Sequence, residues 1–297
     1  MKAGLEGPGL DEIDREEAVS ERHREERSEE IALDVGEGAS LVLRADTGRI
    51  RVEAVEAAVT ARFEIVVAAS AESSAEARRS LERVRIESRG RRGWGEVEVR
   101  IDRDDEAPDC DVEIRALVPF RSDLELDVVA GSIAIDRLRG DVKAKSASGS
   151  LSFGTIDGTV SAACQSGALR LEHASGPVTV EAKAGPVEIA SAGDAVRIRH
   201  VAGPVAVRFT GQPRGESRIE TMAGPVRVEI AGDVGVDLDA ATRAGRVAAG
   251  AGLPDSGSRA IRGPVHGGGP LLLVRSFAGQ ISIDAGAAMP EVSVAAG

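Results

Sequence analysis

The chain has 297 residues, a net charge of −12, thirty-five glycines and a 2% aromatic content. That balance argues against nucleic acid as a partner, which requires a basic stripe and stacking rings. The two cysteines, Cys110 and Cys164, are too few and too far apart for a disulfide framework and are expected as free thiols.

Residues 1–38 open with Gly-Pro-Gly and continue into SERHREERSEE, with no apolar stripe. Between Asp11 and Glu30, ten acidic residues stand against four arginines and carry half the net charge. The segment is expected to be an acidic flexible arm, either a solvated tail or a partner-binding segment. No stretch approaches the ~20 apolar residues of a membrane-spanning helix. MKAGLEGPGLDEIDREE lacks the apolar core of a signal peptide. A cytoplasmic location is therefore expected for the sequence as written, with envelope association through trimming or a recruiting partner.

From Ala39 a nine-residue pattern begins. Ala39–Thr47 and Gly48–Glu56 carry apolar pairs Leu41/Leu43 and Ile50/Val52. An excursion follows. Val59, Ala61, Phe63, Ile65 and Val67 alternate as a strand, Ser73–Arg83 has helical composition, and Val84–Glu87, Glu96–Ile101 and Val112–Val118 read as further strands. Residues 39–121 are thus expected to form a first coil plus a small α+β cap. Such a cap would cover a strand edge otherwise open to another chain.

Ten uninterrupted nine-residue units then begin at Ser122, Gly131, Gly140, Gly149, Gly158, Gly167, Gly176, Gly185, Asp194 and Gly203, each with apolar third and fifth residues. The pairs run from Leu124/Leu126 through Val178/Val180 to Val205/Val207. Each reads as a short strand with one buried face, entered through a glycine corner. The units alternate in two kinds. Those at Gly131, Gly149, Gly167 and Gly185 have Leu138, Ile156, Ala174 and Ala192 at the eighth position. In those between, the seventh residue (Ser146, Cys164, Ala182, His200) is the inward candidate. The expected fold is an all-β, two-strand-per-coil β-solenoid of about eighteen residues per coil, spanning 122–297, in which no unit buries its face until its neighbours stack. After a Gln212-Pro213-Arg214 insertion, Gly215–Ala223 and Gly224–Gly232 resume the pattern. A Gly/Pro-rich loop is expected at 251–269, and Pro270–Ala278 with Gly279–Ala287 close the stack.

The order of these elements, with GASLVLRADTGRIRVE, VEIRALVPF and the alternating corners of GSIAIDRLRGDVKAKSASGSLSFGTIDGTVSAACQSGALRL, resembles the DUF4097 family of adhesin-like proteins over roughly residues 35–287. The resemblance implies a bacterial β-solenoid with a cell-envelope or stress-associated surface role. It supplies no catalytic residues.

Motifs for chemistry are lacking. Calcium-binding nonapeptide rolls need a carboxylate at fixed corners, whereas the sixth positions run Asp136, Lys145, Gly154, Ala163, Glu172, Glu181, Ala190, Arg199 and Arg208. The outward fourth positions mix Ala134, Ser152, Arg170, Glu188 and Ala206 with Lys143, Ser161, Thr179 and Arg197, which gives neither a threonine ladder nor a paired-carboxylate groove. Arg170 and Glu188 are expected to form an ordinary surface ion pair. Cys164 and His200 are expected two coils apart, beyond reach of each other. The sequence therefore yields no catalytic, cofactor-binding or metal-ligating residues and no cofactor. It reads as a non-enzymatic interaction scaffold for a protein or envelope component, held through the arm or the long faces. The alternatives are a self-associating structural protein resembling bactofilins, and a carbohydrate-active enzyme on a β-helical scaffold.

Overall fold

The computed structural model describes residues 23–101, 110–250, 253 and 258–286. The N-terminal part comprises β1 (His23–Asp34), β2 (Ala39–Val55), β3 (Thr60–Ala71), α1 (Ser74–Glu82), β4 (Val84–Arg91), β5 (Trp94–Ile101) and β6 (Cys110–Pro119). The first half of β2 pairs in parallel with β5 and its second half with β6. β4 then runs antiparallel to β5, β3 antiparallel to β6, and β1 antiparallel to β3. The excursion thus pairs with both halves of β2. Helix α1 begins where the Ser73 hydroxyl accepts from the Glu76 amide at 3.3 Å, the usual N-cap arrangement. It buries Ala77 and Leu81.

One expectation fails here. The second half of the acidic arm is a twelve-residue strand, in register with β3 from His23↔Ala71 to Asp34↔Thr60. Its side chains alternate between exposed and half-buried, and Ile31 and Leu33 pack against the core. Glu25 binds the helix, accepting from the Ser74 hydroxyl at 2.5 Å and from Arg78 at 3.2 Å. Two apolar residues at a spacing of two suffice for a strand that needs to bury only one side. Residues 1–22 of the arm lie outside the described residues.

The middle of the chain forms β7 (Ser122–Arg139), β8 (Val142–Ser148), β9 (Leu151–Asp157), β10 (Val160–Ser166), β11 (Leu169–Ala174), β12 (Val178–Ala184), β13 (Val187–Ala192), β14 (Val196–Ala202) and β15 (Val205–Phe209). Every inward pair expected for the ten units is buried. Partners in register include Val142, Val160, Val178 and Val196 on one face, and Leu151, Leu169, Val187 and Val205 on the other. The parallel sheet curves 335° around an axis, giving a solenoid-like body. The corners are close-packed backbone. A Cβ on Gly149, whose φ is +139°, would lie 1.7 Å from the Gly131 carbonyl oxygen, so that corner admits no side chain.

The C-terminal part contains β16 (Ser217–Ala223), β17 (Val226–Ile230), β18 (Val236–Ala244), β19 (Val247–Ala249), β20 (Ala260–Val265), β21 (Leu271–Ala278) and β22 (Ile281–Ala285). The Gln212-Pro213-Arg214 insertion is tied down by side chains. Asp194 Oδ1 accepts from the Arg214 amide at 2.8 Å, and the Gln212 amide exchanges two hydrogen bonds with the Gly235 backbone at 2.8 and 2.9 Å.

Two further expectations are corrected here. The 251–269 stretch is not wholly loop, because β20 folds back antiparallel on β18. Nor does the last strand pair close the stack: β21 lies between β16 and β18, and β22 between β17 and β19. With β20 covering the outer edge of β18, its inner edge takes β21.

Candidate functional site

Along one corner of the body, the sixth, seventh and eighth residues of alternate units line a groove of about 860 Å³. Strand alternation explains its shape. Seventh residues are buried and form the floor, while sixth and eighth residues project outward on either side. The floor carries Val128, Ser146, Cys164, Ala182, His200, Thr221 and Ser276. Three of these reach back to a corner glycine fifteen residues earlier: Ser146 Oγ to the Gly131 carbonyl at 3.5 Å, Cys164 Sγ to Gly149 at 3.4 Å, and His200 Nε2 to Gly185 at 2.9 Å. The expected separation of Cys164 and His200 holds, since Ala182 stands between them in register. Burial pushes the Cys164 thiol up and the His200 imidazole down. Both groups are thus held neutral. His200 Nδ1 and Ser276 Oγ are buried with no hydrogen-bond partner.

The walls differ. Sixth residues are of mixed charge: Arg199 meets Glu181 at 3.9 Å, while Arg275 turns to Asp239, which lies in register with Leu273 outside the groove, at 2.7 Å. The Arg275 hydrogen bond holds the Asp239 carboxyl below its usual range, against a smaller opposing effect of burial. Eighth residues are partly apolar. Val129, Val201, Met222 and Phe277 are four of the molecule's few exposed large hydrophobic side chains among the described residues, and all line this groove. Val201, Met222 and Phe277 stand on successive strands β14, β16 and β21. The Arg243 guanidinium on β18 lies 5.6 Å from the Phe277 ring centroid.

Sequence reasoning missed this groove. Its signal was the recurrence of apolar residues at an outward position, visible only once the unit kinds are separated. Also missed was a polar chain on the opposite face, where His173 Nδ1 meets Ser191 Oγ at 2.8 Å and Ser191 Oγ meets Thr210 Oγ1 at 2.7 Å. Thr210 donates onward to the Ala192 carbonyl. With Thr210 as a donor, Ser191 donates to it and accepts from His173, so the imidazole is a donor here and does not activate the serine hydroxyl.

Elsewhere carboxylates serve the corners. Asp123 accepts from the Asp141 amide at 2.9 Å and Asp141 from the Thr159 amide at 2.8 Å. Arg170 and Glu188 lie 4.0 Å apart and are both exposed, a pair contributing at most about 1 kcal/mol. No cluster of three metal-ligating side chains occurs among the described residues.

No protein-family model matches the chain, and no curated protein does. Solved structures with a similar course of chain include a "putative adhesin" from Bacteroides fragilis, at 12% identity over 87% of this chain and 97% of that one, with a TM-score of 0.37. A "putative cell adhesion protein" from Clostridium sporogenes matches at 12% identity over 89% and 100%, with a TM-score of 0.30. A "putative lipid binding protein" from Parabacteroides distasonis matches at 8% identity over 87% and 96%, with a TM-score of 0.32. Likenesses this distant assign no function to the chain, and the resemblance to the DUF4097 family rests on the sequence motifs alone.

Proposed function

We propose that the protein is a non-enzymatic, adhesin-like binding scaffold whose corner groove holds an extended ligand or a segment of an envelope-associated partner. The observation that carries this reading is the contiguous run of Val201, Met222 and Phe277, 45%, 57% and 53% exposed, inside a groove. Apolar side chains clustered in a concavity, rather than scattered singly, mark an interaction site. Two of the groove's acids are engaged by arginines, Glu181 by Arg199 at 3.9 Å and Glu220 by Arg218 at 3.5 Å.

End-to-end self-assembly is the weaker reading. Among the described residues, the outer strand β1 is rich in Glu and Arg, β4 carries Arg85, Glu87, Arg89 and Arg91, and β20 contains Pro264. Charges and proline are what keep a sheet edge from adding another chain.

The test is fluorescence of the uncharged probe N-phenylnaphthylamine. The wild-type chain should enhance it, and Met222→Asp, a change at an exposed position, should abolish the enhancement while leaving the circular dichroism spectrum intact. Equal enhancement by both proteins removes the groove from consideration.

A further inference from the structure

The groove itself narrows the ligand, on the footing that it is the binding site. Its walls carry Lys145, Lys183, Arg199, Arg243 and Arg275 against Asp127, Glu181 and Glu220, a net of +2 in a chain of −12. Arg199 and Arg275 are engaged by Glu181 and Asp239. Arg243 has the face of Phe277 for company and no carboxylate partner among the described residues. It stands at one end of the apolar run, beside the strand that carries Phe277 and the partnerless hydroxyl of Ser276. The groove is therefore polarised lengthwise, with a cation at the β18–β21 end and apolar side chains from there toward β14.

The floor strands spend their backbone groups on one another. β14 pairs with β16, β16 with β21 and β21 with β18. A bound peptide would find no strand edge to extend and would leave its own amides unpaired against an apolar wall, at a real desolvation cost. A hydrocarbon chain has no such groups to satisfy. At about 4.8 Å per strand, the distance from the β14 strand to the β18 strand is roughly 14 Å. The neutral His200 puts no charge beneath the far end of that path.

We propose that the β14–β18 stretch of the groove binds a single-chain amphipathic anion, such as a long-chain carboxylate. The chain lies over Phe277, Met222 and Val201, and the anionic group sits at Arg243.

The experiment uses the full chain and displacement of N-phenylnaphthylamine by dodecanoate, dodecyltrimethylammonium and dodecyl maltoside, each below its micelle-forming concentration. Dodecanoate is expected to displace the probe at an at least tenfold lower concentration than the cation. Arg243→Glu should erase that preference while still binding the probe, and Arg243→Gln should reduce it by a smaller factor. Equal displacement by anion and cation, or an unchanged preference in Arg243→Glu, overturns the anion proposal and leaves the groove reading standing. Probe enhancement that survives Met222→Asp overturns both. Displacement by an acidic amphipathic peptide at lower concentration than dodecanoate overturns the proposal in favour of a polypeptide ligand.

Discussion

At the corners, chemistry is set by which side chain reaches the carbonyl of a glycine that can carry no side chain of its own. Ser146, Cys164 and His200 perform the same task with a hydroxyl, a thiol and an imidazole, which is why the column tolerates residues of such different type. For His200 the arrangement has a pH consequence. Burial lowers its folded pKa below the unfolded value of about 6.5. Its contribution to stability is therefore fully present above that pH and is lost as pH falls through the folded value. A threonine already fills the equivalent role at Thr242, whose hydroxyl reaches the Gly279 carbonyl at 3.0 Å. His200→Thr should accordingly melt with a flatter dependence between pH 7 and 5 than the wild type; parallel melting curves would contradict this. Inward and outward neighbours should differ far more. Val178 is 1% exposed while Thr179 faces solvent, so Val178→Lys should cost several kcal/mol and Thr179→Lys within about 0.5 kcal/mol, measured by urea denaturation.

At the level of elements, β1 decides how the N-terminus behaves. It covers the edge of β3, buries part of Ile31 and Leu33, and ties Glu25 to α1. The Ser74 hydrogen bond, with Arg78 adding to it, holds the Glu25 carboxyl below its usual range. Removal of residues 1–22 should leave the melting temperature within about 2 °C, whereas removal of residues 1–34 should lower it by several degrees or unfold the cap; identical melts for the two truncations would show that β1 contributes nothing. Strands of the middle region were legible in the sequence because an apolar pair two residues apart, repeated at a fixed period, fits a stack of short one-sided strands and little else. β1 was not, since ten of its twelve residues are not large apolar ones and its strand character comes from β3. β20 was hidden by Gly263-Pro264, a dipeptide that ordinarily marks a turn but that an outer strand accommodates.

For the whole molecule, stacking order and the groove share one origin that sequence could not reveal. Strands with interchangeable Val and Ile pairs fit beside one another in many orders, so local pattern does not say which lies beside which. Val201, Met222 and Phe277 are separated by 21 and 55 residues and form one apolar run only because β21 enters between β16 and β18. No group of three metal-ligating side chains occurs among the described residues, so EDTA or millimolar calcium should shift the melting temperature by less than about 2 °C; a rise of ten degrees with calcium would reveal an unrecognised site. The intercalated β21–β22 pair also governs biogenesis. A ribosome releases β16 to β20 before the segment that belongs in their midst, so the far end of the body cannot be completed in the order of synthesis. Until residues 271–285 emerge, Ile219, Val228 and Leu238 lack the neighbours that bury them. A chain clipped before Leu271 should lose the whole end from β16 onward, not one layer, and become a protease substrate there. Residues 271–285 thus act as a keystone, and a finished groove belongs only to chains synthesised through them.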